Sequence, residues 1–443
     1  MNTSKSWFTA VIILTCLAGY LFAAENFYIL KGAKKLQLKN GVTVLLKENR
    51  QLPIVSVHTW VKVGSVNEDE TTLGLSHFLE HLIFKGSKNY PGDAITRKVE
   101  TQGGMINAGT SKEFTNYYID IRKEACEDAV RILADAMANA LLPAEEIEKE
   151  RPVVLEEIAR HNDNPNAMVD ELFDNSLFLK TPYRTPILGS EAVIKNVTRD
   201  NIMKYYHTHY VPKNIYVAIV GDFNTADIEK LVKETFGKQE VAPLPEQPAL
   251  NEPEHKPVFL AKTKDVEHAY WLGGFLGPDI HSNEQFSADI AANILGGGRS
   301  SRLFRILREQ KRIVYNINSG YISQRGTGVF AFSAIFDPKN EQEVINAVML
   351  EITLLKEGGP TDDELKRAKE SLRSQWYFGT ETFNAQASNL GYWHMQGRPE
   401  MIDGYVNKIM KITKKDVTDF LKKHYKPYGL NQAVIVPKTA NAK

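Results

Sequence analysis

A long-range internal repeat constrains this chain more than any other feature. Val197 to Pro212 reads VTRDNIMKYYHTHYVP, and Ile412 to Pro427 reads ITKKDVTDFLKKHYKP. Thr198 aligns with Thr413, Tyr205 with Phe420, His209 with His424, Tyr210 with Tyr425 and Pro212 with Pro427, all at an offset of 215 residues. An apolar, strand-like run follows each copy, Ile215–Val220 and Ala433–Val436. Matched ends at one offset of this size predict two homologous domains, not a short-period solenoid. The length of 443 residues suits two or three domains. Pro243, Pro245, Pro248, Pro253 and Pro257 mark the boundary, because that spacing can hold neither a helix nor a central strand. The expected organisation is a domain at 25–242, a linker at 243–257 and a second domain at 258–443.

Each half mixes strands and helices. In the first, Val42–Lys47 and Ile54–Val63 read as strands, the latter with alternating character. Leu73–Phe84 and Ala94–Thr101 read as helices, Met105–Ile121 as extended chain, and Glu124–Leu141 and Ala144–His161 as further helices. The fold class is α+β: two homologous domains, each a largely antiparallel sheet packed with helices. Pro152 is expected to kink the last of these helices or to mark a new start.

Composition removes several function classes. There are 54 basic and 54 acidic side chains, so net charge is zero and a dedicated nucleic-acid binder is excluded. The 43% apolar fraction is that of a globular protein. Two cysteines, Cys16 and Cys126, cannot staple a secreted scaffold. Lys5 precedes an uncharged run from Trp7 to Ala24, which reads as an export signal ending near Ala23-Ala24. At 18 residues the run also reaches the lower limit for an uncleaved anchor. The expected location is thus exported: periplasmic, or membrane-anchored through residues 7–24, if the source is bacterial.

The chemistry concentrates in His77-Phe78-Leu79-Glu80-His81, inside a helical pattern. His77 and His81 are i and i+4, so both imidazoles leave one face of the helix. Two neutral ring nitrogens so placed can bind one divalent ion, and Glu80 stands close enough to act as a base toward water. A hydrolytic metal site needs a third protein ligand and an open position. Glu150 and Glu157 lie seven residues apart, two turns along one helix face. One would ligate while the other orients a ligand; spacing alone does not say which. At the 215-residue offset the second half has Ala292 for His77 and Gly296 for His81, so the metal motif has no counterpart there. Gly296-Gly297-Gly298 lacks the Lys-Ser/Thr of a phosphate loop.

Four stretches carry a family resemblance: GLSHFLEHLIFKGS at Gly74–Ser87, GGMINAGTSKEFTNYY at Gly103–Tyr118, ERPVVLEEI at Glu150–Ile158 and LFRILREQKRIVY at Leu303–Tyr315. Through them the chain resembles the pitrilysin/insulinase family of inverted-zincin metallopeptidases. It is most similar to the mitochondrial processing peptidase β-subunit and its bacterial homologues. The resemblance implies a LuxS/metallohydrolase-like fold, one zinc ion per chain held by His77, His81 and Glu157, Glu80 as catalytic base, and Glu150 as a support that does not touch the metal. It implies that Asn107 and Ala108 lie on an edge strand that pairs with a bound peptide. It implies that Arg308 and Tyr315, from the second domain, reach the substrate and steady the oxyanion.

The function so implied is zinc endopeptidase action on unstructured peptides inside a chamber of two two-domain halves. That architecture calls for a homodimer or a heterodimer with a homologous subunit. A non-catalytic partner subunit of the same fold, and a narrow processing peptidase for one precursor, are the alternatives.

Overall fold

A computed structural model describes residues 30–426 and 428–438; the expected export segment and Cys16 lie outside them. Among the described residues no helix is long and apolar enough to cross a membrane. Cys126 is buried and forms no disulfide among the described residues.

Among the described residues eleven strands form two sheets. The first contains β1 (Lys34–Gln37), β2 (Thr43–Glu48), β3 (Ile54–Val61), β4 (Met105–Thr110), β5 (Thr115–Arg122) and β6 (Ile215–Gly221), in the order β1-β2-β6-β3-β5-β4. The second contains β7 (Phe259–Lys264), β8 (Ala269–Gly277), β9 (Val314–Gln324), β10 (Thr327–Phe336) and β11 (Asn431–Pro437), in the order β7-β11-β8-β10-β9. Only β2/β6 and β7/β11 pair in parallel. The repeat therefore extends through the whole topology. Ala269 of β8 stands 215 residues after Ile54 of β3, and each late strand, β6 or β11, inserts into the middle of its sheet.

Helices α1 (Leu75–Ile83), α2 (Ala94–Thr101), α3 (Cys126–Asn139), α4 (Ala144–Asp163), α5 (Pro165–Leu177), α6 (Glu191–Asn196), α7 (Arg199–His209) and α8 (Thr225–Glu234) belong to the first half. The second half has α9 (Gln285–Gly296), α10 (Glu341–Gly358), α11 (Asp362–Phe378), α12 (Phe383–Met395), α13 (Met401–Lys411) and α14 (Lys414–His424). Helix α4 runs unbroken through Pro152, so no new helix starts there. Between Gln239 and Val258 the chain has no helix or strand. Glu252 in that stretch ties the linker down by accepting from the backbone N–H groups of Leu179, Lys180 and Thr181.

A cut at residue 242 does not separate the packing. Helix α5 of the first half lies on the second sheet, against β11, β8 and β7, whereas α12 of the second half lies on the first sheet, against β6 and β3. A sheet has two faces, and each half supplies helices for one face of its own sheet and one helix for the other's. Phe383, Leu390 and Trp393 of α12 are buried. Each such side chain contributes about 1.5–3 kcal/mol when removed from water, so the exchange couples the halves firmly.

The exchange also explains β3. Its alternation suggests one wet face, yet Ser56, His58 and Trp60 are all buried beneath α12. His58 stacks on Tyr118 at 4.9 Å, and burial pushes its imidazole down to about 3.

Both halves also meet at Glu113. Its carboxylate accepts from Tyr183 Oη at 2.6 Å, Arg325 Nε at 2.7 Å, Arg325 N at 3.0 Å and Gln396 Nε2 at 3.1 Å. Burial works to raise its pKa, but Arg325 and these donors outweigh it and hold the carboxyl below its ordinary value.

Two stability predictions follow from this packing. An alanine for glycine inside a helix normally gains about 1 kcal/mol. At Gly391 of α12 an added Cβ would lie 2.3 Å from the Trp60 indole. Overpacking at about 1–3 kcal/mol reverses the sign, so Gly391→Ala should lower the melting temperature in thermal denaturation. Glu113→Gln leaves Arg325 buried without its counter-charge and should destabilise by about 3–5 kcal/mol in urea titration. Because the folded-state pKa is depressed, the Glu113 contribution is present above the ordinary value of 4.5 and fades as pH falls below it. The difference between parent and variant should therefore shrink below that pH.

Candidate metal centre and active site

Helix α1 is a core helix before it is a ligand platform. Leu75, Phe78, Leu79, Leu82 and Ile83 are fully buried. Its first turn is closed by Glu68, whose carboxylate accepts from Gly74 N at 2.7 Å and Ser76 N at 2.8 Å. Gly74 sits at φ 94°, a conformation that favours glycine, and an added Cβ would lie 2.7 Å from the Leu188 carbonyl oxygen. With its apolar residues committed to the core, α1 turns His77 and His81 toward α4. Helix α4 buries Ile147, Val154 and Ile158 and leaves Glu156 exposed.

Three donor atoms converge between these helices. Glu157 Oε2 lies 3.4 Å from His77 Nε2 and 3.6 Å from His81 Nε2. All three lie within 4.8 Å of one another, and no other His/Cys/Asp/Glu group among the described residues could hold a metal ion. In a tetrahedral zinc site with bonds of about 2.0–2.2 Å, neighbouring donors stand about 3.3–3.6 Å apart. Two neutral nitrogens and one carboxylate match the donor set of hydrolytic zinc sites, which keep a fourth position open. The residues therefore fit the ion.

The surrounding electrostatics agree. Burial, followed by the neighbouring His81, pushes the His77 imidazole down to about 4, so the ring is neutral and able to ligate at neutral pH. Burial raises the Glu80 carboxyl above its ordinary value, which makes it a better proton acceptor near neutral pH. Thr110 on β4 donates its hydroxyl to Glu80 Oε2 at 2.6 Å. Glu150 sits on the other side of His81, with Oε2 3.3 Å from Nδ1, while Lys85 Nζ lies 2.5 Å from its Oε1. The spacing argument left Glu150 and Glu157 equivalent; in the structure Glu157 faces the two Nε2 atoms and Glu150 faces Nδ1.

The other sequence candidates lie elsewhere. Asn107 and Ala108 are on β4, which pairs only with β5 and ends the first sheet. Asn107 is exposed, and its Oδ1 accepts from Ala108 N at 2.8 Å. Strand β4 packs beside α1, so its open edge runs past the site. Arg308, in a π-helical turn over Phe304–Gln310, is exposed and has no side-chain partner among the described residues. Tyr315 is the second residue of β9 and is 52% exposed, its ring 4.3 Å from that of His268. Neither contacts His77, Glu80, His81 or Glu157. Lys85 and Thr110 fall within the stretches Gly74–Ser87 and Gly103–Tyr118 that carry the resemblance, but neither was given a role there. Lys85 follows His81 by four residues, just past the end of α1 at Ile83, and the contact of Thr110 with Glu80 depends on how β4 packs against α1.

In the second half, Gly296 takes the His81 position. An added Cβ there would lie 2.2 Å from Ser319 N on β9, so the helix packs where a ligand would need room.

Zinc retention gives a direct check. Purified chain should carry about one zinc per chain by elemental analysis, following the single three-donor group. Removing a donor with His77→Ala or Glu157→Ala should reduce retained zinc at least tenfold after dialysis. Glu156→Ala, on the exposed side of α4, should leave it unchanged.

Two family profiles match this chain: "Insulinase (Peptidase family M16)" over residues 43–191 and "Peptidase M16 inactive domain" over residues 196–372. An uncharacterized zinc protease of Bacillus subtilis is 29% identical over 377 residues, covering 85% of this chain and 91% of its own. One from Rickettsia bellii is 32% identical over 376 residues, covering 83% and 87%. Among solved structures, a protease from Helicobacter pylori superposes with a TM-score of 0.86 at 26% identity, over 91% of this chain and 99% of its own. A "peptidase M16 inactive domain" structure from Pseudomonas fluorescens, at TM-score 0.85 and 19% identity over 92% and 98%, shares the fold. The helix-borne histidine pair, the duplicated sheets and these relatives converge, and the chain belongs to the M16 (pitrilysin/insulinase) peptidase family.

Proposed function

We propose that this chain is a zinc endopeptidase that cuts unstructured peptides laid as an extra strand along β4. The observation that carries the reading is the meeting of His77 Nε2, His81 Nε2 and Glu157 Oε2 beside the raised carboxyl of Glu80. His77, His81 and Glu157 would hold the ion. Bound zinc supplies Lewis acidity toward water and the scissile carbonyl. Backbone groups of β4 near Asn107 and Ala108 pair with the peptide, which favours extended chain over any particular sequence. Thr110 fixes one Glu80 oxygen, and the other takes the proton of the attacking water and returns it to the leaving amine.

Arg308 and Tyr315 lie on the second sheet's side of this chain, without contact to the zinc ligands. In this reading they serve the site of another chain, a second copy or a homologous subunit, and the two enclose the substrate. Tyr315 then donates to the oxyanion. Export, through residues 7–24, is part of the same proposal. A purely structural subunit would have no need of the complete set His77, Glu80, His81 and Glu157, and their joint presence favours the enzyme. A single-precursor processing peptidase would use the same chemistry.

Glu80→Gln separates the readings. Cleavage of a mixed pool of unstructured peptides should fall by about 10²–10⁴-fold, the usual share of a general base. Zinc content and melting temperature should stay at parent values. A chelator should abolish parental cleavage, and zinc should restore it. Unchanged cleavage in Glu80→Gln would remove Glu80 from the mechanism. Absence of cleavage by a zinc-loaded parent dimer, across the whole pool, would favour the structural subunit.

A further inference from the structure

We infer that Lys85 is a positioning residue that tightens zinc binding through Glu150, without touching any donor atom. The inference rests on the metal-centre reading above. Lys85 lies just beyond α1, four residues after His81. Its Nζ is 2.5 Å from Glu150 Oε1, while Glu150 Oε2 faces His81 Nδ1 at 3.3 Å. Each oxygen of one carboxylate thus has its own partner.

The two contacts differ in strength. Charge-assisted N–H···O hydrogen bonds run at about 2.7–2.9 Å, so the contact to His81 alone is too long to fix the carboxylate. The contact to Lys85 is the short one. Fully exposed ion pairs contribute little, but the Glu150 side chain is only 14% exposed and that of Lys85 37%. Lys85 therefore anchors Glu150 against rotation about its last side-chain bond. An anchored Glu150 keeps an acceptor in front of Nδ1, which places the ring proton there and leaves Nε2 bare toward Glu157. It also keeps the second carboxylate of α4 engaged on the Nδ1 side of the His81 ring. That separates the roles of Glu150 and Glu157, two acids of identical chemistry on one helix face.

The test is a double-mutant cycle read in zinc affinity. Zinc dissociation constants are measured by competition with a chromophoric chelator for the full chain, Lys85→Met, Lys85→Arg, Glu150→Gln and the Lys85→Met/Glu150→Gln pair. Partners of metal-bound histidine typically change affinity about 10–100-fold. Lys85→Met should therefore weaken zinc binding about tenfold, while the metal-free melting temperature stays near that of the parent. Lys85→Arg, which keeps the charge and the donors, should recover most of the loss. In the Glu150→Gln background, Lys85→Met should add nothing. Lys85→Gln provides a second neutral variant should the methionine form fold poorly.

Parental affinity in both neutral variants overturns the inference. So does an equal loss from Lys85→Met with and without Glu150, since Lys85 would then act by another route. A parent chain that takes up no zinc overturns the metal-centre reading itself, and this inference with it.

Discussion

The imidazoles of His77 and His81 meet the carboxylate of Glu157 only because α1 is locked in the core against α4. Five apolar side chains of α1 are fully buried, and Glu68 closes its first turn. A helix held that way cannot roll about its axis. Its polar edge is therefore fixed, and the two ring nitrogens point where α4 presents Glu157. The rest of the site depends on that contact. Thr110 reaches Glu80 because β4 packs beside α1, and Lys85 reaches Glu150 from the bend that follows α1. Preorganisation of this kind makes the donors useful, since a metal-binding trio that had to be assembled on demand would lose affinity to conformational entropy.

Duplication gives the fold two equivalent halves and leaves them chemically unequal. At the position of His77 the second half has Ala292, and at that of His81 it has Gly296, whose α-carbon packs against the Ser319 backbone. Ser319 Oγ donates to the Ala292 carbonyl at 2.7 Å, closing the space further. The second helix packs closely where the first carries its histidines. Exchange of α5 and α12 between the sheets, together with the three hydrogen bonds that Glu113 accepts from Arg325 and Gln396, joins the halves into one body. The half without the histidine motif thus packs directly on the half that carries it.

Much of this was legible in the residues. The 215-residue offset anticipated two matched sheets, and the i, i+4 histidines anticipated one helix face. Local signals failed where the answer lay far away in the chain. The alternation of β3 marks two distinct faces, yet nothing near Ser56, His58 and Trp60 reveals that α12, more than 300 residues later, covers them. Glu150 and Glu157 share a helix face, so spacing left them equivalent; in the structure Glu157 faces both Nε2 atoms and Glu150 faces Nδ1 of His81. Pro152 was expected to kink α4 or to mark a new start; the helix is continuous from Ala144 to Asp163, so no new start lies there. Thr110 lies within the quoted stretch Gly103–Tyr118, but its contact with Glu80 arises only because β4 and α1 are neighbours in space.

Crystals of zinc-loaded protein, measured on both sides of the zinc absorption edge, test the central claim most directly. The account predicts one strong anomalous peak per chain, bonded to Nε2 of His77, Nε2 of His81 and a carboxylate oxygen of Glu157. Glu80 and Glu150 should lie outside the coordination sphere. A peak ligated by Glu150 in place of Glu157, or a strong zinc peak elsewhere with none between α1 and α4, would contradict it.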